Sequence, residues 1–281
     1  MVKGIAASCA LIGGWGAALN NPLPDRSTSP PTGSPNRSTA LAVEPHPSHD
    51  VSLPAATMAA EKHSWVMVID LEKCDGCQSC TQACRSAHFV PLDQEWIKIY
   101  ELQDNPESGR YWFPRLCMQC ENAPCTKVCP VGATYQREDG IVMVNQDKCI
   151  GCRFCLAACP YSARYFNWAE PLHTPEELAQ PYSEEWNYPH RKGVVEKCLF
   201  CPGMLAQGKL PMCVSACGMG ALYFGDKLED AVTNSKNETI PFAETVSEQG
   251  GYRFMEELNT QPRVFYLPPR RRLYSPPSGH G

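Results

Sequence analysis

Leu71–Cys84 reads LEKCDGCQSCTQAC and Gln146–Cys159 reads QDKCIGCRFCLAAC, so both stretches carry the spacing C-x2-C-x2-C-x3-C. The cysteines are Cys74, Cys77, Cys80 and Cys84 in the first, and Cys149, Cys152, Cys155 and Cys159 in the other. The two stretches align residue for residue, the mark of an internal duplication. Each follows an apolar, β-branched segment, Trp65-Val66-Met67-Val68-Ile69-Asp70 and Gly140-Ile141-Val142-Met143-Val144-Asn145, which reads as a strand feeding directly into a cysteine loop. Between them lie Cys117, Cys120, Cys125 and Cys129, spaced C-x2-C-x4-C-x3-C. Downstream, Cys198, Cys201, Cys213 and Cys217 keep the same opening and closing steps around a longer central loop. Sixteen of the 17 cysteines therefore fall into four groups of four.

The tight C-x2-C-x2-C turn lets three thiolates point inward around one face of an iron-sulfur cube while backbone N–H groups donate to its sulfurs. The fourth Cys is expected on the short helix that follows, too far round to join its own three, and so to ligate the partner cluster of a two-cluster pair. Four groups then imply four 4Fe-4S clusters in two interlocked pairs. Two other chemistries compete. A disulfide scaffold fits poorly, because such scaffolds are usually small and thiols two residues apart are badly placed to pair. Zinc uses pairs of ligands and no third Cys at the same step, although the separated pairs of the fourth group could make a four-thiolate zinc site.

After the last Cys of the second, third and fourth groups come Pro130-Val131-Gly132-Ala133, Pro160-Tyr161-Ser162-Ala163 and Gly218-Met219-Gly220-Ala221. Each leads into an aromatic strand, with Tyr135, with Tyr165-Phe166 and with Tyr223-Phe224. These rings could shield clusters from water or serve as ordinary core aromatics; the two roles are compatible. Asp139-Gly140 between Thr134–Arg137 and Ile141-Val142 marks a hairpin. The expected fold is α+β, a unit of strand, cysteine loop, short helix and strand used twice.

The chain has 281 residues, enough for one or two domains, and its 26 prolines and 20 glycines suggest short elements and many turns. A net charge of −5 argues against a nucleic-acid partner. Ile5–Leu19 is a mild apolar stretch, too short to span a bilayer but suited to an export-signal core. With Met1-Val2-Lys3-Gly4 it resembles the tail of a twin-arginine signal whose arginines would be encoded just upstream. Cys9 reads as a small residue of that segment. Asn20 to Ala60 is rich in Pro, Ser and Thr and reads as a linker in which His46 and His49 are solvated.

The ordered set of four motifs, with PRLCMQCENAPCTKVCPVGAT, DGIVMVNQDKCIGCRFCLAACPYSARYF and VVEKCLFC, resembles the four-cluster electron-transfer subunit of the dimethyl sulfoxide, polysulfide and tetrathionate reductase group. Related subunits occur in periplasmic hydrogenase, sulfite-reduction complexes and alternative complex III. The resemblance covers roughly Trp65 to Leu267 and implies how the ligands are shared. Cys74, Cys77 and Cys80 would hold a cluster with Cys217, and Cys198, Cys201 and Cys213 its neighbour with Cys84. Cys117, Cys120 and Cys125 would join Cys159, and Cys149, Cys152 and Cys155 would join Cys129. The first and last motifs would form an outer ferredoxin-like module (63–110 and 190–267), and the middle two an inner module (111–170). Gly218 departs from the family's usual Pro, without removing a ligand.

The resemblance further implies two partners, a catalytic subunit of the molybdopterin type and a quinone-reactive membrane anchor, with this chain peripheral on the periplasmic or extracytoplasmic face. If the signal reading fails, the cytoplasmic face is the alternative. No nucleotide loop, Ser/His/Asp signature or pterin-binding domain is legible, so catalysis is expected in another chain. The insert at 171–189, with Trp186, Tyr182, Tyr188 and, at its margins, Trp168 and His190, reads either as a docking loop or as a loop packing on its own module. The tail 268–281, with Arg270-Arg271-Arg272, reads as an extended arm, solvated or touching lipid or a partner. A free-standing exported polyferredoxin that shuttles electrons is the alternative function.

Overall fold

The computed structural model describes residues 62–103 and 109–269. The apolar segment 1–20, the linker up to residue 61, Cys9, His46, His49 and the tail beyond residue 269 lie outside the described residues.

Trp65–Asp70 occupies the middle of a six-stranded sheet, between Val264–Leu267 on one side, parallel, and Leu222–Asp226 on the other, antiparallel. All six of its residues are buried, as the apolar run Trp65–Ile69 demands, and Asp70 at its end accepts from the Glu72 N–H at 3.0 Å. Strand alternation divides it between two cores. Trp65, Met67 and Ile69 face the larger core, which holds the buried cysteines. Val66 and Val68 face a smaller one with Tyr223, Val232, Phe242, Phe265 and Leu267. The helix Phe242–Glu248 contributes Phe242 to that second face. The strand that leads into the first cysteine group is thus paired with the strand that follows the fourth.

Three two-stranded pairs complete the scaffold. Thr134–Gln136 pairs antiparallel with Val142–Val144, so the hairpin read at Asp139-Gly140 forms, with Gly140 at φ +87°. Lys98–Leu102 pairs with Tyr111–Arg115, and Tyr165–Phe166 pairs with Val195–Glu196 across the insert.

The cysteine-bearing helices differ from expectation in one respect. Ser79–His88 contains Cys84, but Pro124–Lys127, Phe154–Ala157 and Met212–Ser215 are single turns. Cys129, Cys159 and Cys217 lie just beyond their ends rather than on them. Pro130 and Pro160 disfavour helical backbone in the residue before them. The released turn then offers its N–H groups to the cysteine sulfur.

Candidate metal centre

The second residue between the first two cysteines of each group has left-handed backbone: Gly76 at φ +76°, Gln119 at +45°, Gly151 at +69° and Phe200 at +60°. That single kink turns the chain so that both thiols face the same side. Glycine takes it without a Cβ penalty. At Gly76 a Cβ would stand 2.2 Å from the Trp112 indole, and at Gly151 it would stand 2.3 Å from the Gly193 carbonyl. Gln119 is held there by its amide, which donates to the Cys198 carbonyl at 2.7 Å and accepts from the Val142 N–H at 2.7 Å. Phe200 is buried and meets Phe224 edge-on. Gln78 (+62°) and Arg153 (+63°), equivalent in the two aligned runs, are also left-handed, so the duplication extends to the backbone.

Folding places the last cysteine of each group among cysteines of another. Cys217 acts electrostatically on Cys74 and Cys80, and Cys77 on Cys74. Cys84 lies in the field of Cys198 and Cys201, and Cys213 in that of Cys201, Cys198 and Cys84. Cys120 feels Cys117, Cys125 and Cys159. Cys129, Cys149, Cys152 and Cys155 line one pocket together with Val131, Ala133, Ile150 and Val195. The zinc alternative for the fourth group requires Cys198, Cys201, Cys213 and Cys217 to converge on one another; Cys217 instead faces the first loop.

Burial, reinforced by neighbouring thiols, pushes Cys80, Cys120 and Cys198 up to about 12. Burial likewise takes Cys74 and Cys201 to about 11 and Cys84 and Cys213 well above the ordinary thiol value. Such thiols become thiolates only when a cation replaces the proton, which is what iron does. Cys129 behaves differently. Burial acts to raise it, but the N–H groups of Thr134, Val131, Ala133 and Gly132 prevail and draw it below the ordinary value. The Thr134 N–H donates to Cys129 Sγ at 3.4 Å, and the Ala221 N–H to Cys217 Sγ at 3.3 Å. Cys159 receives the N–H groups of Ala163 and Tyr161. This is the physical reason for the recurring four residues after the last cysteine of the second, third and fourth groups.

Sixteen described cysteines are free thiols. Converging thiols, N–H groups aimed at sulfur and buried cations beside them form a donor set that suits iron-sulfur clusters and no disulfide framework.

Three further residues, which nothing in the cysteine spacing marks, enter this environment. Arg164 is 6 % exposed and Lys197 fully buried; Lys197 donates to the carbonyls of Val142 and Cys198. A lysine precedes the first Cys in three groups (Lys73, Lys148, Lys197), a signal that could have pointed to it. His88, lowered to about 4 by burial, keeps a neutral ring; its Nδ1 donates to the Trp186 carbonyl at 2.9 Å and its Nε2 lies 3.2 Å from Cys201 Sγ.

The insert packs on the body of the protein. The Gln146 N–H donates to the Tyr182 hydroxyl at 2.8 Å, Trp186 covers Gly203, and His190 is tied to Glu196 at 2.6 Å and to the His88 carbonyl at 2.7 Å. Trp168, Leu172 and Leu178 remain exposed.

Residues 109–174 match the 4Fe-4S dicluster domain family. The chain is 44 % identical over 218 residues to a selenate reductase subunit of Mesobacillus selenatarsenatis, covering 72 % of this chain and 71 % of that one. It is 41 % identical to a putative dimethyl sulfoxide reductase iron-sulfur subunit of Halobacterium salinarum, covering 72 % and 78 % respectively. A polysulfide reductase polypeptide of Wolinella succinogenes is 36 % identical, with 73 % and 94 % covered. The chain belongs to this family of reductase iron-sulfur subunits. This iron-sulfur subunit is an electron-transfer component of a respiratory reductase complex, with cysteine loops built for 4Fe-4S clusters. Among its described residues no helix is long and apolar enough to cross a membrane.

Proposed function

We propose that the chain carries four 4Fe-4S clusters in two interlocked modules and relays electrons between a catalytic subunit of the molybdopterin type and a quinone-reactive membrane subunit. The ligand sets are Cys74, Cys77, Cys80 and Cys217; Cys198, Cys201, Cys213 and Cys84; Cys117, Cys120, Cys125 and Cys159; and Cys149, Cys152, Cys155 and Cys129. The observation that supports this reading is that the last cysteine of one group lies in the field of cysteines from another: Cys217 acts on Cys74 and Cys80, and Cys198 and Cys201 act on Cys84. When bound, each cluster takes up and returns one electron with little rearrangement. The chain's own residues fix the ligands, donate N–H groups to sulfur and exclude water. The loop around Cys77 and the loop from Ile150 to Phe154 are the more exposed of the four, whereas Cys198, Cys201, Cys213, Cys120 and Cys125 are buried. Electrons would therefore enter and leave at the first and third loops and cross through the middle.

The outer module would comprise 63–110 and 190–267 and the inner one 111–170, with the export-signal-like segment 1–20 placing the subunit on the extracytoplasmic face. The test is anaerobic isolation from native membranes through a tag on this chain, followed by metal analysis. About sixteen iron atoms per chain, with molybdenum or tungsten and a quinone-binding membrane subunit in the same complex, is the expected result. A reducible monomer carrying iron alone would replace the relay by a free-standing shuttle.

A further inference from the structure

Arg164 follows the third cysteine group, in the stretch Pro160-Tyr161-Ser162-Ala163-Arg164, and is buried where long cations are rarely found. Its Nη1 donates to the Thr134 hydroxyl at 3.1 Å. Its Nη2 is buried with no partner of good hydrogen-bond geometry, and the guanidinium reaches the thiols of Cys125 and Cys155. Among the described residues no carboxylate forms an ion pair with it. Burial opposes its charge, and the groups that favour it are the thiols of Cys125, Cys155 and Cys117. A buried cation lacking an anion is costly, and a guanidinium cannot shed its proton to escape the cost. The missing anion is supplied if the sulfurs beside it are metal-bound thiolates around a negatively charged cluster.

Position adds a second constraint. Cys125 belongs with Cys117, Cys120 and Cys159, and Cys155 with Cys129, Cys149 and Cys152. Arg164 thus lies in the field of both sets. Thr134, which holds Nη1, also gives its N–H to Cys129 Sγ, so one residue orients the guanidinium and a ligand of the adjacent set.

We propose that Arg164 is a potential-setting residue of the inner pair, a fixed positive charge between two clusters that favours the reduced form of each. The inference rests on the four-cluster reading above and concerns residues of the inner module alone. Each of the two sites gains one negative charge on reduction, and in a low-dielectric interior an adjacent permanent cation stabilises that added charge. Because arginine stays protonated, its contribution is constant with pH, unlike that of a histidine or a cysteine.

The experiment is a redox titration of the intact complex followed by electron paramagnetic resonance, comparing wild type, Arg164→Gln and Arg164→Lys. In Arg164→Gln, two of the midpoint potentials should fall, each reduction equilibrium weakening about tenfold, or about 59 mV for one electron. The other two should stay in place, Arg164→Lys should recover most of the loss, and the shift should be the same across neutral pH. Unchanged potentials, or a fall in Arg164→Lys equal to that in Arg164→Gln, would overturn the proposal. If Arg164→Gln does not assemble, wild-type complex labelled with 15N-arginine serves instead. Nitrogen hyperfine coupling in the reduced inner-pair signals supports the assignment, and its absence rejects it. Iron content of the wild type tests the four-cluster reading separately, since two shifted potentials can be seen whether or not the outer pair is filled.

Discussion

The Gln119 amide donates to the Cys198 carbonyl at 2.7 Å, joining a loop of the second cysteine group to the first residue of the fourth. Its oxygen accepts the Val142 N–H on the neighbouring hairpin. One side chain therefore spans three segments far apart in sequence. Substitution Gln119→Ala has unequal consequences at its two ends. The Cys198 carbonyl keeps Lys197 as a donor, but the Val142 N–H is left buried and unpaired. The expected cost is about 1–3 kcal/mol. It should be read as earlier thermal bleaching of the iron-sulfur absorption; an unchanged bleaching temperature would contradict the account.

Gly76 and Gly132 both have positive φ, yet only Gly76 has a neighbour where a Cβ would go. Gly132→Ala should cost only the left-handed backbone penalty of about 1–2 kcal/mol. Gly76→Ala must in addition displace the Trp112 indole. Iron retained per chain after purification should fall further for Gly76→Ala than for Gly132→Ala, and equal retention would show that Trp112 moves freely.

His190 supplies a pH dependence. Burial acts to lower its pKa, but the hydrogen bond and charge of Glu196, with the His88 carbonyl and Glu177, prevail, and the net shift is upward. A folded-state pKa above the unfolded value of about 6.5 gives stability that is fully present below the unfolded value. That stability is lost as pH rises through the folded one. Amide exchange of the insert, residues 171–189, should therefore accelerate as pH rises through that raised value, beyond the intrinsic increase. His190→Gln should remove the extra acceleration. An insert whose protection is the same in both chains would exclude the His190–Glu196 pair as its clasp.

The cysteine groups were legible because metal ligation imposes spacing on sequence, and Trp65–Asp70 because the first five residues of this fully buried strand are all apolar. Asp139-Gly140 announced its hairpin through the positive φ that Gly140 adopts. Other parts were hidden. A buried Arg164 or Lys197 looks in sequence like any solvated cation, since the thiols that justify it come from distant groups. Left-handed backbone could be guessed at Gly76 and Gly151 but not at Gln119 and Phe200, where side-chain contacts hold the conformation. The insert supported two readings from composition, and packing of Trp186, Tyr182 and His190 on the body decides where those residues go. Cys129, Cys159 and Cys217 fell past their helices because the turn after each is shaped by hydrogen bonds to sulfur, which spacing alone does not display.

The exchange of last cysteines between groups is tested most directly by comparing Cys217→Ser with Cys74→Ser and Cys213→Ser by electron paramagnetic resonance of the reduced complex. Cys217 follows Cys213 in the same motif, yet it lies in the field of Cys74 and Cys80, about 140 residues earlier in the chain. The account predicts that Cys217→Ser alters the same signal as Cys74→Ser and leaves the signal altered by Cys213→Ser intact. A Cys217→Ser protein that changes the Cys213 signal, with the Cys74 signal unaffected, would contradict it.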